Sequence, residues 1–269
     1  MPISRVPGRP STKSLRKLVR SWRLRLRHAS QGRDVADEHD DDRPNAAMTG
    51  ASVATGITSV RGGRRWREGS VLVIACGAIV REIQAIVTVN GLADIAIRAV
   101  PASYHNRPER IAPAVARLIK VARPHFKRIF VAYGDCGTAG ELDQLLGREM
   151  IERLPGAHCY AFYSGVDAFE ARGDADMRTF YLTDFLAQHF DRLVWQGLGL
   201  ERHPELRNAY FGNYERVVYL SQAPTPELTA AAERAAARLS LAYDHRPVGY
   251  GDLATAMKRL SSFLPTQGV

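Results

Sequence analysis

The sequence predicts an α/β protein built on a mostly parallel, doubly wound sheet with helices on both faces. Three features predict it. From Ser70 onward, short β-branched and aromatic runs alternate with segments of helical spacing, the rhythm of βα units. Residues 71–75, VLVIA, are apolar throughout, as suits a strand buried on both faces. Helical segments open with proline and an acid at Pro108-Glu109 and Pro226-Glu227, where the first position needs no amide and the helix dipole favours negative charge.

The elements follow in order. After the strand at 71–75, residues 78–86 have helical spacing, and Asn90-Gly91 stops that helix. Residues 95–100 form a second strand ended by Pro101, and the helix opened by Pro108 runs through Val115, Leu118 and Ile119 to Pro124. A third strand at 128–133 leads through a glycine-rich turn into a helix that Leu154-Pro155-Gly156 ends. Residues 158–163, HCYAFY, read as a fourth strand, and 179–182 as a short one. Thr183 or Asp184 then N-caps a helix whose inner face is Phe185, Leu186, His189, Phe190, Leu193 and Val194. Residues 216–220 are a strand, Thr225 caps a helix through Leu228, Ala232, Ala235 and Leu239, and 241–244 return as an edge strand.

With 269 residues and 45% hydrophobic content, the chain can bury a sizeable core, and one domain at 70–269 is expected. The formal net charge of +9 invites a nucleic-acid reading, but residues 1–70 hold 15 Lys+Arg against 7 Asp+Glu, leaving 22 against 21 for the rest. The core is therefore nearly neutral, nucleic-acid binding by it is not expected, and any attraction to anionic surfaces belongs to the tail. Residues 1–69 are basic, then acidic, then small and polar, a composition of disorder. Within them Leu15, Leu18, Val19, Trp22 and Leu26 form an apolar stripe among arginines, an amphipathic helix for an anionic membrane or a leader upstream of an internal start at Met48. Three cysteines, no signal peptide and no run of about 20 apolar residues point to a cytoplasmic chain without disulfides or a transmembrane segment.

The richest stretch is Tyr133-Gly134-Asp135-Cys136-Gly137-Thr138-Ala139-Gly140. It carries a thiol on a strand-to-helix turn, where glycines permit close backbone approach and helix-opening amides favour an anion. Gly134, Asp135, Gly137, Thr138 and Gly140 are thus candidate ligand-binding residues. Cys76 and Cys159 also lie beside strand-like runs, and parallel sheets bind ligands beyond the carboxyl ends of their strands. Convergence of Cys76, Cys136 and Cys159 with His105 or His158 makes a four-ligand zinc site or a three-cysteine iron–sulfur site. No two cysteines lie within four residues, so finger and ferredoxin spacings are absent, and burial as small apolar residues explains the cysteines equally well. Cys136 as a nucleophile beside a helix start is a third reading. A Cys-x5-Arg loop, a Cys-x-x-Cys pair and a Gly-x-Gly-x-x-Gly turn are all missing. Asp135, His105, Glu109 and Asp184 are acid–base candidates, Asp184 first of all as a helix cap.

In their order, the segments Ile74-Ala75-Cys76-Gly77, His105-Asn106-Arg107-Pro108-Glu109, Tyr133-Gly134-Asp135-Cys136-Gly137-Thr138, His158-Cys159-Tyr160, Tyr181-Leu182-Thr183-Asp184-Phe185 and Phe211-Gly212-Asn213-Tyr214 resemble a prokaryotic family known only as domain of unknown function number sixteen thirty-eight. The likeness runs from about Val71 to Leu260 and leaves the tail outside. The resemblance brings no activity, but it implies company: such proteins occur beside corrinoid-dependent methyltransferase systems. Thiolate-held zinc activates thiol methyl acceptors in that chemistry, and iron–sulfur proteins reduce its cobalt. The expectation is therefore a thiolate metal- or iron–sulfur-binding protein, an enzyme or accessory of one-carbon methyl transfer with a corrinoid-system or small-molecule partner. The alternatives are a metal-free module for a small anionic or tetrapyrrole ligand, and a cysteine-nucleophile transferase.

Overall fold

A computed structural model describes residues 71–92, 94–173 and 177–262. The expected extension at 1–69, with its apolar stripe, lies outside the described residues. The chain opens with β1 (Val71–Cys76), all six of whose residues are buried. It pairs in parallel with β2 (Ile95–Val100) on one side and β3 (Arg128–Ala132) on the other, and β3 carries a two-residue edge strand, β4 (Glu152–Arg153). The order is β2-β1-β3-β4. Parallel neighbours need crossovers, and helices supply them: α1 (Val80–Val89), α2 (Ile111–Ala122) and α3 (Glu141–Glu149). Each buries one stripe at helical spacing, Ile83, Ile86 and Val87 from α1, Ile111, Val115 and Ile119 from α2, and Leu142 and Leu146 from α3. The chain goes outward from β1 to β2 and then crosses back to β3, so a switch point lies between β1 and β3 at their carboxyl ends.

A second parallel sheet has the order β5-β6-β7, from β5 (Thr179–Leu182), β6 (Arg216–Ser221) and β7 (Ala242–Pro247). The sequence-based picture of one continuous sheet is thereby corrected to two. Residues 158–163 are the reason: instead of a fourth strand they form α4 (Cys159–Ser164), followed by α5 (Val166–Arg172). A six-residue aromatic run has no length to distinguish strand from helix, and Pro155, lacking an amide, prevents β4 from extending along the sheet. The helix before it also ends sooner than expected, at Glu149, with Met150 in a left-handed conformation. In the second sheet Val217 and Tyr219 face α6 (Asp184–Gln188) and α8 (Pro226–Leu239), sharing a core with Ala187, Ala232, Ala235 and Leu239. Val218 and Leu220 point the other way and pack with Tyr181, Tyr160 and Phe169, which joins this sheet to α4 and α5. Between α6 and α8, a π-helical turn (Asp191–Gln196) and a short α7 (Arg207–Phe211) fill the long connection. The last helix, α9 (Gly251–Ser261), returns to the first sheet and packs on α1 and α4 through Leu253, Met257 and Leu260. No helix among the described residues is long and apolar enough to cross a membrane.

Asp184 shows how the second sheet is tied at its carboxyl edge. The cap of α6 is Thr183, whose Oγ1 accepts from the Leu186 amide at 3.3 Å, so the capping role read for Asp184 passes to its neighbour. The Asp184 carboxylate is buried and accepts from the Tyr219 hydroxyl at 2.7 Å, the Gln222 amide at 3.1 Å and the Ala223 amide at 2.7 Å. Three donors on one carboxylate replace the water lost on burial. Replacing Asp184 with alanine strands all three, and chemical denaturation should show a loss of about 3 kcal/mol. A variant as stable as the wild type contradicts this anchoring role.

Candidate functional site

Cys76 ends β1, and its Sγ accepts from the Ala78 amide at 3.3 Å, capping the turn that opens α1. The next residue, Gly77, lies so close to the strand beyond that a Cβ there would stand 3.1 Å from the Val100 oxygen and 3.3 Å from the Ala102 nitrogen. That contact presses the end of β1 against the single turn Ala102–Asn106, which carries His105. His105 Nδ1 is bonded to the Ala102 carbonyl at 2.8 Å, which leaves Nε2 facing Cys76 Sγ at 3.9 Å. The bond to the carbonyl fixes Nδ1 as the protonated nitrogen and frees Nε2 for the sulfur. His105 also interacts with the Cys136 thiol, and its ring stacks at 5.8 Å on Tyr133.

Cys136 arrives from the other side of the switch point. Beyond β4 the pairing continues loosely: the Leu154 amide donates to Val131, Asp135 to Gly156, and Cys136 to Ala157 at 2.7 Å. Gly134 permits it, since a Cβ there would come within 2.7 Å of His158 Cα and 2.9 Å of its nitrogen. Arg153 braces the same loop, donating to the Leu154 and Gly156 carbonyls at 2.6 and 3.1 Å while paired with Asp143. The segment so held delivers Cys159 as the first residue of α4. Cys136 itself has φ +46°, an unfavourable conformation for a side-chain-bearing residue, and Gly137 follows at φ +86°.

The electrostatics confirm that these groups share one region. Burial pushes the Cys76 thiol up, but His105 and the Ala78 amide outweigh it, and its pKa falls below the ordinary value. Burial draws His105 down, yet Cys76 and Cys136 together raise it well above 6.5. Cys76 and His105 therefore favour a thiolate–imidazolium pair. Cys159 is held well above 9.0 by burial, with Cys136 and Cys76 adding to the effect, so it keeps its proton. The Tyr133 hydroxyl lies beside Cys76 without completing a hydrogen bond of good geometry.

The five turn residues expected to hold a ligand serve the turn as well. Asp135 accepts from Thr138 Oγ1 at 2.6 Å, the Gly140 amide at 2.9 Å and the Ala139 amide at 3.3 Å, so the two amides just before α3 are already occupied. Gly134 makes the close approach to His158, and Gly137 lies beside Pro108. Of the two imidazoles, His105 faces the sulfurs. His158 turns toward Tyr160 and Phe169, at ring distances of 5.1 and 5.5 Å, and burial lowers its pKa, keeping it neutral. Glu109 is exposed on its turn. Among the described residues, no group of three or more His, Cys, Asp or Glu side chains is gathered tightly enough to hold a metal ion. The 3.9 Å between Cys76 Sγ and His105 Nε2 nevertheless lies near the about 3.6 Å that two ligands of one tetrahedral zinc require.

Glu82 was not anticipated. It is a buried acid on α1, 7% exposed, and the sequence does carry a signal: an acid three residues after Ile79 and four before Ile86, on the apolar stripe. Burial, with Asp184 adding to it, pushes its carboxyl from the ordinary 4.5 up to about 7. The folded protein thus holds this proton at pH values where the unfolded chain has lost it.

The family model described as "Protein of unknown function (DUF1638)" matches residues 99–257. The match takes in His105, Cys136, His158 and Cys159, and begins after Cys76 and Glu82. A search of curated proteins finds no match to the chain.

Two tests follow from this geometry. Gly134→Ala should cost about 1–3 kcal/mol by chemical denaturation, because backbone opposes the new methyl. Gly147→Ala, in α3 with open space around it, should be neutral or stabilising by up to about 1 kcal/mol. Equal effects contradict the close approach. For Glu82, stability is fully present below the unfolded value of 4.5 and falls by about 3 kcal/mol as pH rises to about 7. Glu82→Gln should flatten that slope and exceed the wild type in stability above the raised value, and an unchanged slope rules out the shift.

Proposed function

We propose, for a chain that belongs to the DUF1638 family and so inherits no established activity, that Cys76, Cys136 and Cys159 with His105 form a thiolate centre for zinc or an iron–sulfur cluster. The observation that carries this reading is the placement of His105 Nε2 3.9 Å from Cys76 Sγ while the same ring interacts with Cys136. Soft sulfur with one imidazole is a donor set for zinc, and three thiolates suit a cluster, in which each sulfur binds a different iron and the sulfurs stand further apart than ligands of one ion.

Charge supports the reading. The His105 imidazolium acts on Cys76 and Cys136, and Cys159 remains protonated beside them. A bound cation would favour the thiolate at Cys159 and release its proton on loading, and His105 would give up its Nε2 proton to become a ligand. The Tyr133 phenol beside Cys76 would orient that sulfur and limit water. Three free thiols suit a reducing, cytoplasmic setting. The methyl-transfer company implied by the resemblance gives such a centre two uses, activation of a thiol acceptor or delivery of electrons to a corrinoid-system partner.

A second reading has its own observation. The Cys76–His105 pair is a thiolate–imidazolium couple, the arrangement of a cysteine nucleophile, which shifts that role from Cys136 to Cys76.

Anaerobic purification with elemental analysis and a visible spectrum separates the two. The thiolate centre predicts about one zinc, or iron with inorganic sulfide and a brown chromophore, per chain. Cysteine-to-serine changes at 76, 136 and 159 should each abolish retention. Metal-free protein in which one thiol is rapidly alkylated by iodoacetamide overturns the metal reading and supports the nucleophile.

A further inference from the structure

The turn that carries Cys136 is of an unusual kind for its residues. The Thr138 amide donates to the Asp135 carbonyl at 2.9 Å, and both residues between them have positive φ, Cys136 at +46° and Gly137 at +86°. That combination is the type I′ turn, whose first central position belongs to glycine, asparagine or aspartate. A Cys-Gly pair fits a type II turn instead, where glycine keeps its positive φ and the cysteine relaxes to about −60°. A side-chain-bearing residue stays left-handed only where its surroundings over-determine it. The Asp135 carboxylate is bonded to Thr138, Ala139 and Gly140, which holds the far side of the turn and not Cys136 itself.

Arg153 supplies that hold. Its guanidinium donates four hydrogen bonds: from Nε and Nη2 to the two Asp143 carboxylate oxygens at 2.5 and 3.0 Å, and from Nη1 to the Leu154 and Gly156 carbonyls at 2.6 and 3.1 Å. Asp143 lies in the first turn of α3, just after the Cys136 turn, and the carbonyls belong to the segment that runs beside it. In that segment the Gly156 carbonyl also receives the Asp135 amide at 3.4 Å, and the next carbonyl, that of Ala157, receives the Cys136 amide at 2.7 Å. One side chain thus ties the helix after the turn to the segment that accepts the strained residue's own amide. With 16% of the side chain exposed, water competes little for these bonds. We propose that Arg153 is a positioning residue, which selects the type I′ form of the turn and so sets the direction of the Cys136 thiol. Without the guanidinium the turn relaxes to type II, and rotation about the Cys136 N–Cα bond swings the side chain away. Lysine is no substitute, because an ammonium group cannot bind a carboxylate bidentately and two carbonyls at once. The purpose of the positioning rests on the thiolate-centre reading. Its test uses metal-free protein, so failure to retain metal and failure of the clamp are separate results.

Two measurements on the reduced, metal-free full chain test this. In the first, a thiol-specific dye labels the native protein, and peptide mass spectrometry reads the rates at Cys76, Cys136 and Cys159 separately. Arg153→Lys should speed labelling of the half-buried Cys136 about ten-fold and leave Cys76 within about two-fold, because the lost bonds hold only the one turn. Asp143→Asn, at a position more than half exposed, weakens the same fork and should speed Cys136 about three-fold. The second reads the turn form by chemical denaturation. Cys136→Gly should be favoured over Cys136→Ala by about five-fold in the folding equilibrium constant, since glycine alone takes a positive φ without strain. In the Arg153→Lys background that preference should disappear. A brace that merely stabilises the chain leaves the preference unchanged. Equal acceleration at all three cysteines, unaltered labelling of Cys136, or the same glycine preference in both backgrounds overturns the proposal. Where Arg153→Lys does not fold, Asp143→Asn carries both measurements.

Discussion

Two close backbone approaches at glycines, one at Gly77 that a Cβ would crowd and one at Gly134 that a Cβ would block, position the segments that carry the thiols. Gly77 lets the end of β1 lie against the segment after β2, and Gly134 lets the end of β3 lie against the segment before α4. The first brings His105 to Cys76, and the second brings the segment leading into Cys159 against the backbone at Cys136. A side chain at either glycine would push main chain from main chain, and no rotamer relieves a clash of that kind. Cys76 and Cys136 are far apart in sequence, and both follow strands that end at the carboxyl edge of the parallel sheet, beside its switch point.

What gathers there is electrostatically incomplete. One imidazole faces Cys76 and stabilises a thiolate there, while burial keeps Cys159 protonated. Nearby, Glu82 keeps a proton for the same reason, and it and Tyr163 have polar atoms without partners. Asp184 is a contrast, since its buried carboxylate at the edge of the second sheet accepts three hydrogen bonds. The same kind of residue is an anchor in one sheet and an unpaired group in the other.

The sequence made most strands and crossovers legible because each buries a complete stripe: residues 71–75 read as a central strand and lie in one, and the edge strand near 241–244 appears as Ala242–Pro247. It misread 158–163, where six aromatic-rich residues are equally good on a strand or a helix and tertiary packing decided. With that stretch helical, the described strands fall into two sheets. Cys76, His105 and Cys136 were legible because each stands at the end of an apolar run, where parallel sheets collect their functional groups. Cys159 opens a helix rather than lying in a strand, and the Cys136–Ala157 bond holds the backbone just before it. Glu82 was hidden by its neighbours, an acid on a helix being ordinary until the helix is known to be covered on that side by α9.

The proposed thiolate centre requires that Cys76, Cys136 and Cys159 close together on one ion, and arsenite tests that requirement most directly, because trivalent arsenic binds neighbouring thiols together and isolated ones poorly. In the reduced, metal-free native protein, one equivalent of arsenite should protect Cys76, Cys136 and Cys159 together from a thiol-specific dye, and protection should vanish on unfolding. Dye labelling of all three cysteines that proceeds in the native state as though arsenite were absent contradicts the account.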